Sequence, residues 1–150
     1  MDFLSEQQLI FTSKKYEDIY IFFNETFSIK YQDLFILCSA IGFKNNRHIK
    51  FDSKGRELRS NYFSSAQKAT AYSIILADKE IGREIEKFEN KNFMLLARKK
   101  LEEYAEGGME ILLEEVFENK FIESKLDIVY KEYDIDLFSY VLEKFDEIPF

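Results

Sequence analysis

Apolar residues recur at three- and four-residue intervals along most of this chain, the period of one helix face. Between Tyr16 and Phe27, the residues Tyr16, Ile19, Tyr20, Phe23 and Phe27 line up on one side. Ser13 is the candidate cap for this helix, since a hydroxyl there accepts a hydrogen bond from an orphan amide. The next stretch, Tyr31 to Ile41, carries Leu34, Phe35, Leu37, Cys38 and Ile41 and is apolar on most sides, which marks a central buried helix. Gly42 follows it as a left-handed terminator. From Phe43 to Phe63 the helical period disappears. Asn45-Asn46 and Ser53-Lys54-Gly55 have turn chemistry, and His48 to Phe51 alternates weakly. Glu57-Leu58-Arg59 is placed to return antiparallel on that segment through Gly55. A connection of this length in a compact domain is usually functional or mobile.

Helical character resumes at Ser64-Ser65, with Ala66, Ala69, Ala71, Ile74, Ile75 and Leu76 forming a small-residue apolar segment. A charged stretch, Asp78 to Asn92, leads to a helix carrying Phe93, Leu96, Ala97, Leu101 and Tyr104. Gly107-Gly108 then interrupts, and two glycines that each cost about 1 kcal/mol in a helix predict an end or a sharp bend before Met109 to Phe117. Leu126, Val129, Tyr130 and Tyr133 come next, and then Leu137, Phe138, Tyr140, Val141 and Phe145 as a separate last helix capped by Asp134 or Asp136. The single proline, Pro149, lies beyond it. The pattern predicts a mainly α protein, a compact bundle of about five to seven helices with a basic loop or small β-hairpin around residues 44–62. A length of 150 residues suits a single helical domain over 1–150.

Charge changes the picture more by its distribution than by its net value of −7. From Leu101 to Phe150, 15 Asp and Glu oppose 4 Lys, a net of −11. Between Lys44 and Arg59 the residues Lys44, Arg47, Lys50, Lys54, Arg56 and Arg59 oppose only Asp52 and Glu57, a net of +4. A basic segment inside an acidic protein contacts a phosphate backbone or a protein partner, or pairs with the chain's own acidic helices. Aromatics are abundant, with 16 Phe and 9 Tyr, enough for a ring-rich core and a remainder at a partner surface. Tyr130, Tyr133, Phe138 and Tyr140 are the candidates for that surface.

The N-terminus lacks the basic start and apolar run of a signal peptide. The longest uncharged apolar run, Leu34 to Phe43, is about half of the roughly 20 residues a spanning helix needs. Cys38 is the only cysteine and forms no internal disulfide. A cytoplasmic protein without a membrane segment is expected.

Catalytic patterns are sparse. His48 is the only histidine, no serine or cysteine sits in a nucleophile elbow, and no phosphate-cradling glycine loop with its lysine is present. Glu102, Glu103, Glu106, Glu110, Glu114 and Glu115 include pairs at helical spacing and read as a charged helix face rather than as metal ligands. Asp52, Lys54 and Glu57 lie close in sequence but lack the acidic–x–Lys signature of a metal nuclease. No cofactor is expected.

Two blocks resemble a known family. Leu34-Phe35-Ile36-Leu37-Cys38-Ser39-Ala40-Ile41-Gly42-Phe43, Arg47 and Gly55-Arg56-Glu57-Leu58-Arg59 form the first; Lys100 to Leu112, with Tyr104-Ala105-Glu106-Gly107-Gly108, forms the second. In this order, across Tyr31 to Phe117, they are similar to the fourth group of Dnd system-associated proteins, found beside bacterial DNA phosphorothioation and related anti-phage systems. The resemblance implies a non-catalytic accessory or adaptor subunit of a defence complex that binds a larger ATPase, helicase or nuclease partner. It supplies no catalytic residue. The alternative is nucleic-acid binding through the basic 44–59 segment, with Tyr62 or Phe63 available for stacking, and a metal-dependent nuclease is the least favoured reading. The oligomeric state is not legible.

Overall fold

The computed structural model describes Leu4 and residues 7–82 and 90–145. Along the chain it places β1 (Leu9–Ser13), a 3-10 turn (Lys14–Tyr16), α1 (Glu17–Phe27), α2 (Tyr31–Lys44), β2 (Lys54–Arg59) and a second 3-10 turn (Ser60–Tyr62). Then follow α3 (Ser65–Ala77), α4 (Lys91–Glu115), the two-residue strands β3 (Phe121–Ile122) and β4 (Lys125–Leu126), and α5 (Tyr133–Phe145). The fold is mainly α, with two small antiparallel hairpin-like sheets. Residues 83–89 of the charged link after Asp78, and Pro149, lie outside the described residues.

The central pair is α2 against α4. As its apolar pattern predicts, α2 buries Leu34, Phe35, Ile36, Cys38, Ser39, Ile41 and Gly42. Opposite them, α4 buries Ala97, Leu101, Tyr104, Ala105, Gly107, Gly108, Met109 and Leu112. The glycines act differently from their sequence reading. α4 runs unbroken through Gly107-Gly108, and Gly42 lies inside α2 with an ordinary negative φ. α2 ends instead at Asn46, which takes the left-handed conformation at φ 52°, while the Asn45, Asn46 and Arg47 amides bond back to Ile41, Phe43 and Gly42. What the glycines supply is close backbone approach. A Cβ on Gly108 would lie 1.8 Å from the Cys38 carbonyl oxygen, and one on Gly42 would lie 2.0 Å from that of Tyr104. The Ser39 hydroxyl bridges the same seam, donating to Phe35 O at 2.9 Å and standing 3.4 Å from Leu101 O.

The segment after α2 does not fold back on itself. β2 pairs antiparallel with the N-terminal β1, Ile10 opposite Leu58 and Phe11 opposite Glu57, so the hairpin expected from His48 to Arg59 is replaced by a long-range pair. Residues 48–51 run instead along α4, where the Ile49 amide donates to Glu103 O at 3.0 Å. Ser13 starts the first 3-10 turn without capping it; its hydroxyl is buried beside the Glu106 carboxyl and completes no hydrogen bond of good geometry. Ser64 does cap α3, in a reciprocal box with Gln67.

Ring packing absorbs much of the aromatic content. Phe22 and Phe23 of α1, Phe117 and Tyr133 meet with centroids 5.4–6.3 Å apart, and Phe35 stacks on Phe63 at 6.1 Å. The β3–β4 turn uses Glu123 and Ser124 at φ 54° and 67°, neither a glycine nor an asparagine, so the sequence carries no signal for it.

Candidate functional site

The six cations of the 44–59 segment do not form one patch. Lys44 donates to the Lys144 carbonyl of α5 and sits 4.5 Å over the Phe145 ring. Arg47 is held by α4, its Nη1 3.1 Å from Glu110 Oε1 and 2.8 Å from Glu114 Oε2. Lys50 is exposed. Lys54 lies 4.4 Å over Phe11, in a depression of about 340 Å³ shared with Asp52, Arg98, Lys99 and Glu102. Arg56 lies 4.1 Å over the Tyr31 ring, and among the described residues Arg59 makes long contacts, 3.5 Å to Glu57 and 3.4 Å to Gln7. These last two line a separate depression of about 430 Å³ together with Tyr31 and Tyr62. The segment is therefore divided: Lys44 and Arg47 are spent on the chain's own acidic helices, and Arg56 and Arg59 remain at an open groove. Phe63, read as a stacking candidate, is buried. Asp52 and Glu57 line different depressions, and among the described residues no three His, Cys, Asp or Glu side chains gather as a metal ion needs.

The acidic residues of α4 depart from a solvated helix face. Glu103 and Glu106 are buried, together with Lys100. Lys100 Nζ lies 2.9 Å from Glu80 Oε2 and 3.8 Å from Glu103 Oε1; His48 reaches the same two carboxylates at 3.9 and 3.7 Å. Glu103 Oε1 is buried without a hydrogen bond. Tyr104 donates to Asp78 Oδ2, and Asp78 Oδ1 accepts from the Glu80 and Ile81 amides at 2.9 and 3.0 Å. Burial alone would raise the Asp78 carboxyl, but the hydrogen bonds from Tyr104, Ile81 and Glu80 and the Lys100 charge hold it below its ordinary value. Burial and the Asp78 hydrogen bond raise the Tyr104 phenol, so it stays a neutral donor. The cluster ties the segment after α3 and the loop after α2 onto α4. Among the described residues, the cleft beside it brings no serine or cysteine to His48. Sequence reading missed this group because its members are drawn from positions 48, 78, 80, 100, 103 and 104.

Glu102 occupies the opposite extreme. It accepts from the Phe11 amide at 2.8 Å, and burial raises its carboxyl from the ordinary 4.5 to about 7, against the lowering effect of that bond and of Lys54, Lys99 and Arg98. Between these two values the folded chain holds a proton that the unfolded chain releases. The stabilisation from protonated Glu102 is therefore complete below the unfolded value and is lost as pH rises through about 7. Glu106, also raised by burial, acts in the same direction. Stability is expected to fall by on the order of 2 kcal/mol between about pH 5 and 8, after discounting for partial exposure. Glu102→Gln, which keeps an acceptor for Phe11, removes most of that fall in urea titrations across the range. Parallel profiles for both proteins would refute this.

Of the four aromatics expected at a partner surface, Tyr133 is fully buried with its hydroxyl donating to Asp127 O at 2.6 Å, and Tyr140 is buried and donates to Glu115 Oε2 at 3.0 Å. Tyr130 is half-buried and donates to Asp136. Only Phe138 is mostly exposed, at 54%. It stands in a stripe with Ile135 at 56% and Leu142 at 70%, opposite the inner Tyr133, Leu137 and Tyr140. Ile128 and Val129, in the preceding loop, are exposed as well.

Fold and surface together define a small helical protein with an α2–α4 glycine seam, a divided basic segment and an α5 that is apolar on two faces. The model of the family described as DNA sulphur modification system-associated protein 4 matches residues 23–136, and the chain belongs to that family. The match extends beyond both ends of the Tyr31–Phe117 stretch that carries the resemblance in sequence. Neither a curated protein nor a solved structure matches the chain. Among the described residues no helix is long and apolar enough to cross a membrane.

Proposed function

We propose that this protein is a non-catalytic adaptor within a DNA sulphur modification-associated, anti-phage defence system, docking a larger ATPase, helicase or nuclease subunit through the outer face of α5. The observation that carries this reading is the two-sided apolarity of α5. Its inner face already completes the core, while Ile135, Phe138 and Leu142 expose large side chains that folding does not require. Glu132, Asp134, Asp136 and Glu143 flank that stripe, so the fitting partner surface is an apolar groove with a basic rim. Membership of a system-associated family supports an accessory role.

The test is co-purification of tagged protein with the system's large subunits from nuclease-treated lysate, compared with Phe138→Ser/Leu142→Ser. Both positions are exposed, so the variant is expected to melt within a few degrees of the parent. Loss of two central anchors, each worth about 2 kcal/mol or more, lowers affinity by at least about 100-fold. Undiminished binding by the variant, or loss of the partner on nuclease treatment alone, would sink the α5 interface.

A further inference from the structure

We propose that the groove beside β2 binds single-stranded nucleic acid, with a base stacked on Tyr62 and the flanking phosphates held by Arg56 and Arg59. The depression of about 430 Å³ is lined by Tyr31, Gln32, Arg56, Glu57, Arg59 and Tyr62, among others, and none of its lining residues comes from the acidic C-terminal third. The Arg56 guanidinium carbon lies 4.1 Å from the Tyr31 ring centroid, so the ring braces the guanidinium and leaves N–H donors for a phosphate. Arg59 is half exposed, and its contacts to Glu57 and Gln7 are long ones that a phosphate can displace.

Tyr62 is 65% exposed on a rigid mount. On one side of it Ser60 is buried, its amide bonded to Gln8 O and its hydroxyl accepting from the Gln8 amide; on the other side Phe63 is buried against Phe35. A large ring held outward between two anchored residues loses little freedom when a base stacks on it. The exposed bases of a single strand can reach that ring, whereas those of a duplex are stacked on one another. Gln32 and Glu57 add amide and carboxylate groups that can bond base edges. This site is independent of α5, and either surface can fail without the other.

The experiment is fluorescence anisotropy of the full chain with labelled oligothymidylate, oligouridylate and a duplex, each on the order of 12 nucleotides. Single strands are expected to bind more tightly than the duplex. Two phosphate contacts give a slope of log affinity on log salt of about −1.4. Tyr62→Ala weakens binding by about 5- to 100-fold while Tyr62→Phe retains it, and Arg56→Glu/Arg59→Glu weakens it at least tenfold. Phe138→Ser leaves it unchanged. Preference for the thymidylate or the uridylate strand identifies DNA or RNA as the ligand, and either supports the proposal. No single-strand binding at low salt, duplex binding of equal strength, or indifference to Tyr62→Ala in a variant that melts normally would overturn it.

Discussion

Gly108→Ala is expected to destabilise this protein by about 3 kcal/mol or more, although helix propensity taken alone predicts a gain of about 1 kcal/mol for replacing a mid-helix glycine. The difference in sign comes from the α2–α4 seam. The added Cβ would lie 1.8 Å from the Cys38 carbonyl oxygen and 2.6 Å from its carbon, and both belong to backbone, which no rotamer change can move aside. Relief requires the two helices to separate along the seam where Ser39, Ala105 and Cys38 are buried. Gly42→Ala meets the Tyr104 carbonyl oxygen at 2.0 Å and belongs to the same class. Urea unfolding of the two variants and of their combination measures the effect, and because both push the same two helices apart their costs should add less than fully. A Gly108→Ala protein as stable as the parent would mean that the helices do not approach this closely.

The second large effect is expected at Lys100. Replacing it by Met removes, among the described residues, the one cation besides His48 within ion-pair distance of the buried Glu103, and breaks the 2.9 Å bond to Glu80. Removing one partner of a buried pair costs about 3–5 kcal/mol, because the remaining charge is neither solvated nor paired. The two acidic partners should respond differently. Glu80 is 63% exposed on its side chain and turns to water, so Glu80→Gln costs far less than loss of Lys100. Glu103 is buried and has no such escape. Lys100→Met/Glu103→Met removes both buried charges and should recover most of the loss, as apolar replacement of a buried pair commonly does. Urea unfolding near neutral pH separates these cases. A single Lys100→Met substitution costing under about 1 kcal/mol would show that the Lys100 ammonium is already solvated.

What the sequence by itself determined was local. The spacing of Tyr16, Ile19, Tyr20, Phe23 and Phe27 specifies α1, the all-round apolar Leu34 to Ile41 run specifies the buried α2, and α3 starts where helical character resumes, at Ser64-Ser65. Each of these signals depends on residues three or four apart and needs no knowledge of what lies across the core. The two blocks that carry the family resemblance are also local strings, and their helical parts, Leu34 to Phe43 and Lys100 to Leu112, are the two sides of one seam. The tertiary structure decided everything that depends on distant neighbours. Gly42, Gly107 and Gly108 read as breakers because their intrinsic cost is visible and their benefit is not; that benefit appears only when one helix backbone meets another. β2 found its partner at β1, more than 40 residues away, rather than in the adjacent His48 to Phe51 segment. Glu103 and Glu106 look like surface carboxylates in a row of glutamates until Lys100, His48 and the β1 end cover them. Tyr133 and Tyr140 look no different from Phe138 as rings in an amphipathic stretch. Which of them remains outside was set by how α5 rotates its inner face onto Phe23 and Phe117, because burial belongs to the pair of surfaces that meet and not to either residue alone.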